Sequence, residues 1–260
     1  MFWYNGQLIE SNMIELSIHN PALLYGATVF TTMRVYQQSL EHPLTNWQAH
    51  CARLNYSLKK FNWPPPNWAN IIAGVQILLE YFPALRITIF PDGLELIIGR
   101  NLPQDLAKNQ RRGIEGWVAD FDLQRSLTAH KTGNYLGPWL ALQKAQKIGA
   151  NEAILVNRQG HWLETSTGNL WGYHKGIWWT PRLQEGILAG ISRKIILERA
   201  CFPIKENIWT WEFVRKLEVL AYSNCIVEII PFKIILNSQV ELNFNSFNSQ
   251  LMQIKKIFNQ

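Results

Sequence analysis

Lys131-Thr132-Gly133-Asn134-Tyr135-Leu136, followed by Leu163-Glu164-Thr165-Ser166-Thr167-Gly168-Asn169-Leu170 with the glutamate 33 positions after the lysine, is the pair of segments on which the fold turns. A lysine is a nucleophile only as the free amine, so a site that uses one must disfavour its protonation by burial or neighbouring positive charge. An acidic residue that ends a strand just before a Ser/Thr/Gly/Asn turn can hold a protonated heterocycle nitrogen. Together the two segments read as a cofactor site, and the donor types are those that pyridoxal phosphate requires.

Outward from the lysine, Pro138 suits the first turn of a helix running to about Ile148, with Gly149 as its stop. Strands are expected at Glu152 to Asn157 and His161 to Glu164, around a turn at Gln159-Gly160. Trp171 to Trp179 reads as a hairpin about His174-Lys175-Gly176, and Gly190-Ile191-Ser192 opens a helix toward Ala200. Phe247, Leu251, Ile254 and Phe258 put an apolar face on a C-terminal helix. On the other side, Phe2-Trp3-Tyr4, Asn5-Gly6 and Gln7-Leu8-Ile9 spell a hairpin, because Asn-Gly favours the positive φ angles of a type I′ turn. Apolar positions 47, 51, 54, 58 and 61 make one helical stripe, ended by Pro64-Pro65-Pro66. Ile71 to Tyr81 predicts a second helix, and Arg86 to Phe90 a strand turning at Pro91-Asp92-Gly93. The polar zone from Asn101 to Gly113 and on to Ser126 reads as a linker, which divides the chain into domains 1–120 and 121–260, the second carrying the lysine.

Composition narrows the function. Hydrophobic residues make up 47% of 260 and charged residues 17%, the profile of a globular chain. No apolar run reaches the roughly 18 residues that span a bilayer, and Met1 to Gly6 lacks a signal peptide's basic region, so a soluble cytoplasmic protein without a membrane partner is expected. Cys51, Cys201 and Cys225 are odd in number and far apart, which fits a reducing compartment. The six histidines form no metal-binding spacing, so no metal is expected. A net charge of +6 and twelve tryptophans raise nucleic acid as a partner, but the basic residues fall in isolated pairs such as Lys59-Lys60 and Arg111-Arg112. A basic cleft for a small anionic metabolite uses that charge more economically.

With these residues in view, the chain resembles the fold-type IV pyridoxal-phosphate enzymes, whose members include branched-chain and D-amino-acid aminotransferases and 4-amino-4-deoxychorismate lyase. The two lysine and glutamate segments carry the resemblance, together with Pro21 to Val35, His50-Cys51-Ala52-Arg53-Leu54, and Thr180-Pro181-Arg182-Leu183 with Gly186 to Arg193. It implies an α+β fold of two domains, like that of D-amino-acid aminotransferase, with the cofactor at the domain interface, and a homodimer. Lys131 becomes the residue that binds the cofactor covalently and moves protons at the substrate carbon, and Glu164 the partner of the pyridine nitrogen. The resemblance also gives Tyr135 to the cofactor's phenolic oxygen and Leu188 to the ring face. Arg53, the N–H groups of Ile191 and Ser192, and Cys225 are given to the phosphate. Ser192 and Cys225 stand where threonine is usual. Tyr25, Arg34, Arg86 and Asn224 fall on substrate-side positions.

Thr32 decides the expected reaction. Branched-chain aminotransferases usually carry glycine at its position, whereas bacterial aminodeoxychorismate lyases carry Thr-Thr with a catalytic second hydroxyl. The resemblance therefore implies conversion of 4-amino-4-deoxychorismate to 4-aminobenzoate and pyruvate. Ser223-Asn224 points the same way, while Pro91-Asp92-Gly93-Leu94-Glu95 does not reproduce the Gly/Arg-rich loop that lyases often have after this strand. The alternatives are transamination of branched-chain or D-amino acids, and non-catalytic binding of an acidic ligand or nucleic acid.

Overall fold

The computed structural model describes residues 1–236 and 241–259. The chain divides into two compact units: Met1–Pro103 with His130–Asn134, and Gln104–Ala129 with Tyr135–Gln260.

The first unit contains β1 (Phe2–Tyr4), β2 (Gln7–Ile9), α1 (Pro21–Tyr25), β3 (Val29–Arg34), α2 (Trp47–Phe61), α3 (Trp68–Leu78), β4 (Ala84–Ile89) and β5 (Glu95–Arg100). Its strands form an antiparallel sheet in the order β2-β1-β5-β4-β3. The first hairpin turns as its sequence predicts, with φ of 47° at Asn5 and 76° at Gly6. Strand alternation sends Met33, Leu85, Ile87 and Ile89 into one core with Leu54 and Leu58 of α2 and Ile71, Val75 and Leu78 of α3. The other face of β3 and β4 carries Phe30, Thr32, Arg34, Arg86 and Thr88. Helix α2 has the predicted limits and ends at Asn62 in the left-handed conformation (φ 57°). Helix α3 starts at Trp68, three residues before the expected Ile71, because the Asn67 side chain caps it by accepting from Ala69 N and Asn70 N.

The second unit contains α4 (Leu106–Arg112), β6 (Ile114–Val118), α5 (Leu136–Lys147), β7 (Glu152–Val156), β8 (Trp162–Thr165), β9 (Asn169–His174), β10 (Ile177–Pro181), α6 (Ile191–Arg199), β11 (Ile204–Asn207), α7 (Trp211–Val214), β12 (Val219–Asn224), β13 (Glu228–Leu236), β14 (Leu242–Asn243) and α8 (Leu251–Ile257). Its mixed sheet runs β11-β10-β9-β12-β13-β6-β7-β8, with β14 beside β13. Strand β8 pairs back onto β9 through Glu164 and Asn169, so β9, β12, β13, β6, β7 and β8 form a closed ring with Glu164 at the closure.

Three expectations change. The division falls after Pro103 rather than near 120, because β6 is held between β13 and β7 and brings α4 with it. The stretch read as linker thus includes a helix. The lysine segment belongs to the first unit, because residues 130–134 lie along the edge of β3. Phe247 precedes α8 and is 73% exposed, so it takes no part in that helix's buried face, where Leu251, Ile254 and Phe258 do pack.

Candidate active site

In the first unit the lysine is positioned by main-chain pairing. Phe30 N donates to Lys131 O (2.8 Å), Gly133 N donates to Thr28 O (2.8 Å), and Val29 and Thr132 form an antiparallel bridge. Gly133 has to be glycine here, since a Cβ would run into the Thr28 hydroxyl and the Gly26 carbonyl. Lys131 Nζ lies 4.8 Å from the centre of the Phe30 ring, and the Arg86 guanidinium carbon stands 3.6 Å from that same centre. Thr32 is two residues from Phe30 and directly opposite Arg86 in the β3–β4 register. Lysine, threonine and arginine therefore share one sheet face. Arg34 continues that row, with its guanidinium 4.8 Å from the centre of the Tyr36 ring. Tyr25 is 72% exposed at the end of α1.

The neighbouring Thr31 points the other way and has a different task. Its buried hydroxyl receives Arg53 Nη2 (2.6 Å) and lies 2.6 Å from His50 Nδ1. Arginine can only donate, so the Thr31 oxygen accepts there, and a neutral His50 with an unprotonated Nδ1 can take the Thr31 proton in a second hydrogen bond. Burial first, then the Arg53 and Lys131 charges, hold the His50 imidazole well below its usual range. In the unfolded chain the same histidine takes a proton below pH ~6.5, so the unfolded state binds more protons there. Its contribution to stability is complete above that pH and declines as the pH falls, by up to about 1.4 kcal/mol per pH unit. Unfolding free energies of wild type and His50→Asn between pH 7 and pH 5 check this. The difference between the two should shrink toward pH 5, and a constant difference would reject the assignment.

One residue before the lysine, His130 is buried, with Nδ1 3.0 Å from Ser57 Oγ and its ring stacked on Tyr56. It fastens the lysine segment to α2. Sequence reasoning missed both this histidine and the separate duties of Thr31 and Thr32, although strand alternation separates the two threonines.

The second unit gathers the remaining candidates. Glu164 is 4% exposed. Its Oε1 receives Arg125 Nη1 (3.2 Å) and its Oε2 the Leu188 amide (3.1 Å). Both donors favour the carboxylate anion over the acid. The Leu188 carbonyl in turn takes Asn169 Nδ2 (2.9 Å), so this peptide is held at both ends. Two residues on, Gly190 packs so closely on the Asn169 side-chain oxygen that it leaves no room for a Cβ. Helix α6 begins directly after it, and the first amides of a helix lack intrahelical acceptors and favour an anion. Ser192 Oγ lies 3.5 Å from Cys225 Sγ, which brings together two of the predicted phosphate residues. Arg193 fastens the helix start through Pro181 O (3.2 Å), Thr180 Oγ1 (3.4 Å) and an ion pair with Glu206.

Tyr135 donates its hydroxyl to the Ser166 carbonyl. A phenol has one proton, so donation to any other acceptor requires this bond to give way. Asn224 Nδ2 donates to Thr167 O (3.3 Å), while its Oδ1 accepts from Ile226 N (2.9 Å) and Val227 N (3.0 Å). Arg125 was not singled out from the sequence, where no local pattern marks a long-range ion pair. Among the described residues no group of three potential metal ligands occurs, and no helix is long and apolar enough to cross a membrane.

Residues 28–235 match the family model for amino-transferase class IV. The chain belongs to the class IV aminotransferases. This class IV chain is 27% identical over 215 residues to an aminodeoxychorismate lyase of Vibrio harveyi, covering 76% of each. It is 23% identical over 273 residues to the branched-chain-amino-acid aminotransferase of Escherichia coli K12, covering 92% of this chain and 85% of the relative. A hypothetical aminotransferase from Mycobacterium tuberculosis, in its PLP-bound form, superposes with a TM-score of 0.83 over all of this chain and 97% of its own, at 16% identity, a likeness of fold.

Proposed function

We propose that this protein is a pyridoxal-5′-phosphate-dependent lyase that converts 4-amino-4-deoxychorismate to 4-aminobenzoate and pyruvate as a cytoplasmic homodimer. The donor set fits the cofactor: a half-buried lysine, a buried carboxylate charge-balanced by an arginine, and the amino end of α6 with the Ser192 hydroxyl. Lys131, Arg53, Tyr135, Glu164, Leu188, Ile191, Ser192 and Cys225 would hold it. When bound, pyridoxal phosphate supplies an aldehyde for exchange with the substrate amine and a ring that accepts the electron pair left by a departing proton.

Each residue's part follows from its chemistry. Lys131 takes the proton from C4 of the substrate. Glu164, kept anionic by Arg125 and the Leu188 amide, keeps the ring nitrogen protonated. Thr32 donates to the enolpyruvyl oxygen as the bond from C3 breaks and the six-membered ring becomes aromatic. Arg86, opposite Thr32, is the candidate for a substrate carboxylate, with Arg34, Tyr25 and Asn224 as further substrate-side residues.

The observation that carries this reading is the Thr32 hydroxyl on the sheet face shared by Lys131 and Arg86. The test is to incubate cofactor-loaded protein with 4-amino-4-deoxychorismate and no keto acid. Equal catalytic yields of 4-aminobenzoate and pyruvate are expected, and Thr32→Gly should lower kcat by roughly 10²-fold with cofactor binding retained. A fully active Thr32→Gly enzyme would reject the role given to that hydroxyl. Absence of both products with cofactor bound would favour a transaminase for branched-chain or D-amino acids, a reading supported by the greater coverage of the Escherichia coli relative. The homodimer is supported by the exposed Leu23, Leu24 and Tyr25 on α1, and a monomer in sedimentation velocity would refute it.

A further inference from the structure

Glu152 is a buried carboxylate at the start of β7, 2% exposed, with no part in the reaction above. Its Oε1 accepts from the Ser166 hydroxyl and from Ala153 N (2.9 Å), and its Oε2 accepts from Thr167 Oγ1 (2.5 Å). Ser166 N also donates to Ala153 O (2.8 Å), so the turn after Glu164 is bound to β7 by side chain and main chain together. That turn is where Tyr135 and Asn224 are anchored, the first on the Ser166 carbonyl and the second on Thr167 O and Oγ1. An apolar side chain could fill this space without the cost of burying a charge. What the carboxylate adds is a pair of acceptors that fix two hydroxyl directions at once. Burial pushes the Glu152 carboxyl up, and the bonds from Ser166, Thr167 and the Ala153 amide oppose that shift.

We propose that Glu152 is a positioning residue: by holding the Ser166 and Thr167 hydroxyls it fixes the turn that locates Tyr135 and Asn224, and thereby governs cofactor affinity and turnover without touching cofactor or substrate. The proposal rests on the pyridoxal-phosphate reading.

Its test uses Glu152→Ala and Glu152→Gln proteins freed of cofactor and titrated with pyridoxal 5′-phosphate. Tryptophan fluorescence follows binding, and kcat and KM are measured at saturating cofactor below the melting temperature. Leaving the buried Ser166 hydroxyl, the Thr167 hydroxyl and an amide without their acceptor should weaken cofactor binding about tenfold or more and lower kcat similarly in the alanine variant. Glutamine keeps one acceptor oxygen and a shape the hydroxyls can rotate to meet, so it should stay within about threefold of wild type. Wild-type affinity, kcat and KM in a folded Glu152→Ala protein, or equal losses in both variants, would overturn the proposal. Should the alanine protein fail to fold, Ser166→Ala and Thr167→Val remove the same two donors from the other side. Raised KM with Thr167→Val and weakened cofactor binding with Ser166→Ala would support the proposal, and wild-type values in both would overturn it. If wild type binds no pyridoxal phosphate, the functional reading itself fails. Amide hydrogen exchange of residues 165–168 in the ligand-free proteins then judges the structural claim alone, unchanged exchange in Glu152→Ala counting against it.

Discussion

Replacing Lys131 with alanine should abolish turnover, by roughly 10⁴-fold or more, because the residue is at once the covalent anchor and the proton carrier. The loss should be chemical and not structural. The lysine segment is held by the main-chain bonds from Phe30 N to Lys131 O and from Gly133 N to Thr28 O, neither of which needs the side chain. Among what alanine removes from the fold is the contact of Lys131 Nζ with the Phe30 ring, worth about 0.5–1 kcal/mol. Melting temperature should therefore change little while borohydride treatment no longer fixes cofactor to the chain. Mass spectrometry of the reduced proteins reads this directly. Cofactor fixed to a different lysine, or turnover above a few per cent of wild type, would move the catalytic assignment elsewhere.

Arg125→Leu should be the most destabilising single change at the second unit's site. The Arg125–Glu164 pair is almost fully buried, with side chains 6% and 5% exposed. Removing the cation leaves a buried carboxylate short of its counter-charge, a loss of about 3–5 kcal/mol unless Glu164 takes up a proton. Either outcome harms catalysis, since a neutral Glu164 no longer holds a protonated ring nitrogen. Turnover of the variant should accordingly fall more steeply than that of wild type as the pH is lowered. Denaturation of wild type, Arg125→Leu, Glu164→Gln and the double variant closes the cycle. The double variant should be more stable than Arg125→Leu alone, and an Arg125→Leu protein of wild-type stability would show that the pair is not what holds this site.

Much of the architecture was legible in short-range chemistry. The Asn5-Gly6 hairpin, the α2 stripe with its proline stop and the Gly149 helix end depend on backbone preference and periodicity within a few residues. Helix α4 was illegible because it has seven residues and buries only Leu106, so no apolar stripe marks it. Lys131 and Glu164 stood out through their motifs. Arg125, Glu152 and His130 did not, since their partners lie 39, 14 and 73 positions away in the chain.

The sequence by itself determined the family and the mixed α+β class, and it singled out the candidate chemistry-bearing residues, because motif order and side-chain type are properties of the linear chain. Tertiary structure alone decided which unit carries the lysine, which of two adjacent threonines faces it, and which arginine balances the buried glutamate. Those outcomes depend on strand register, ring closure and burial, which bring distant residues within hydrogen-bonding distance and leave no local trace in the sequence.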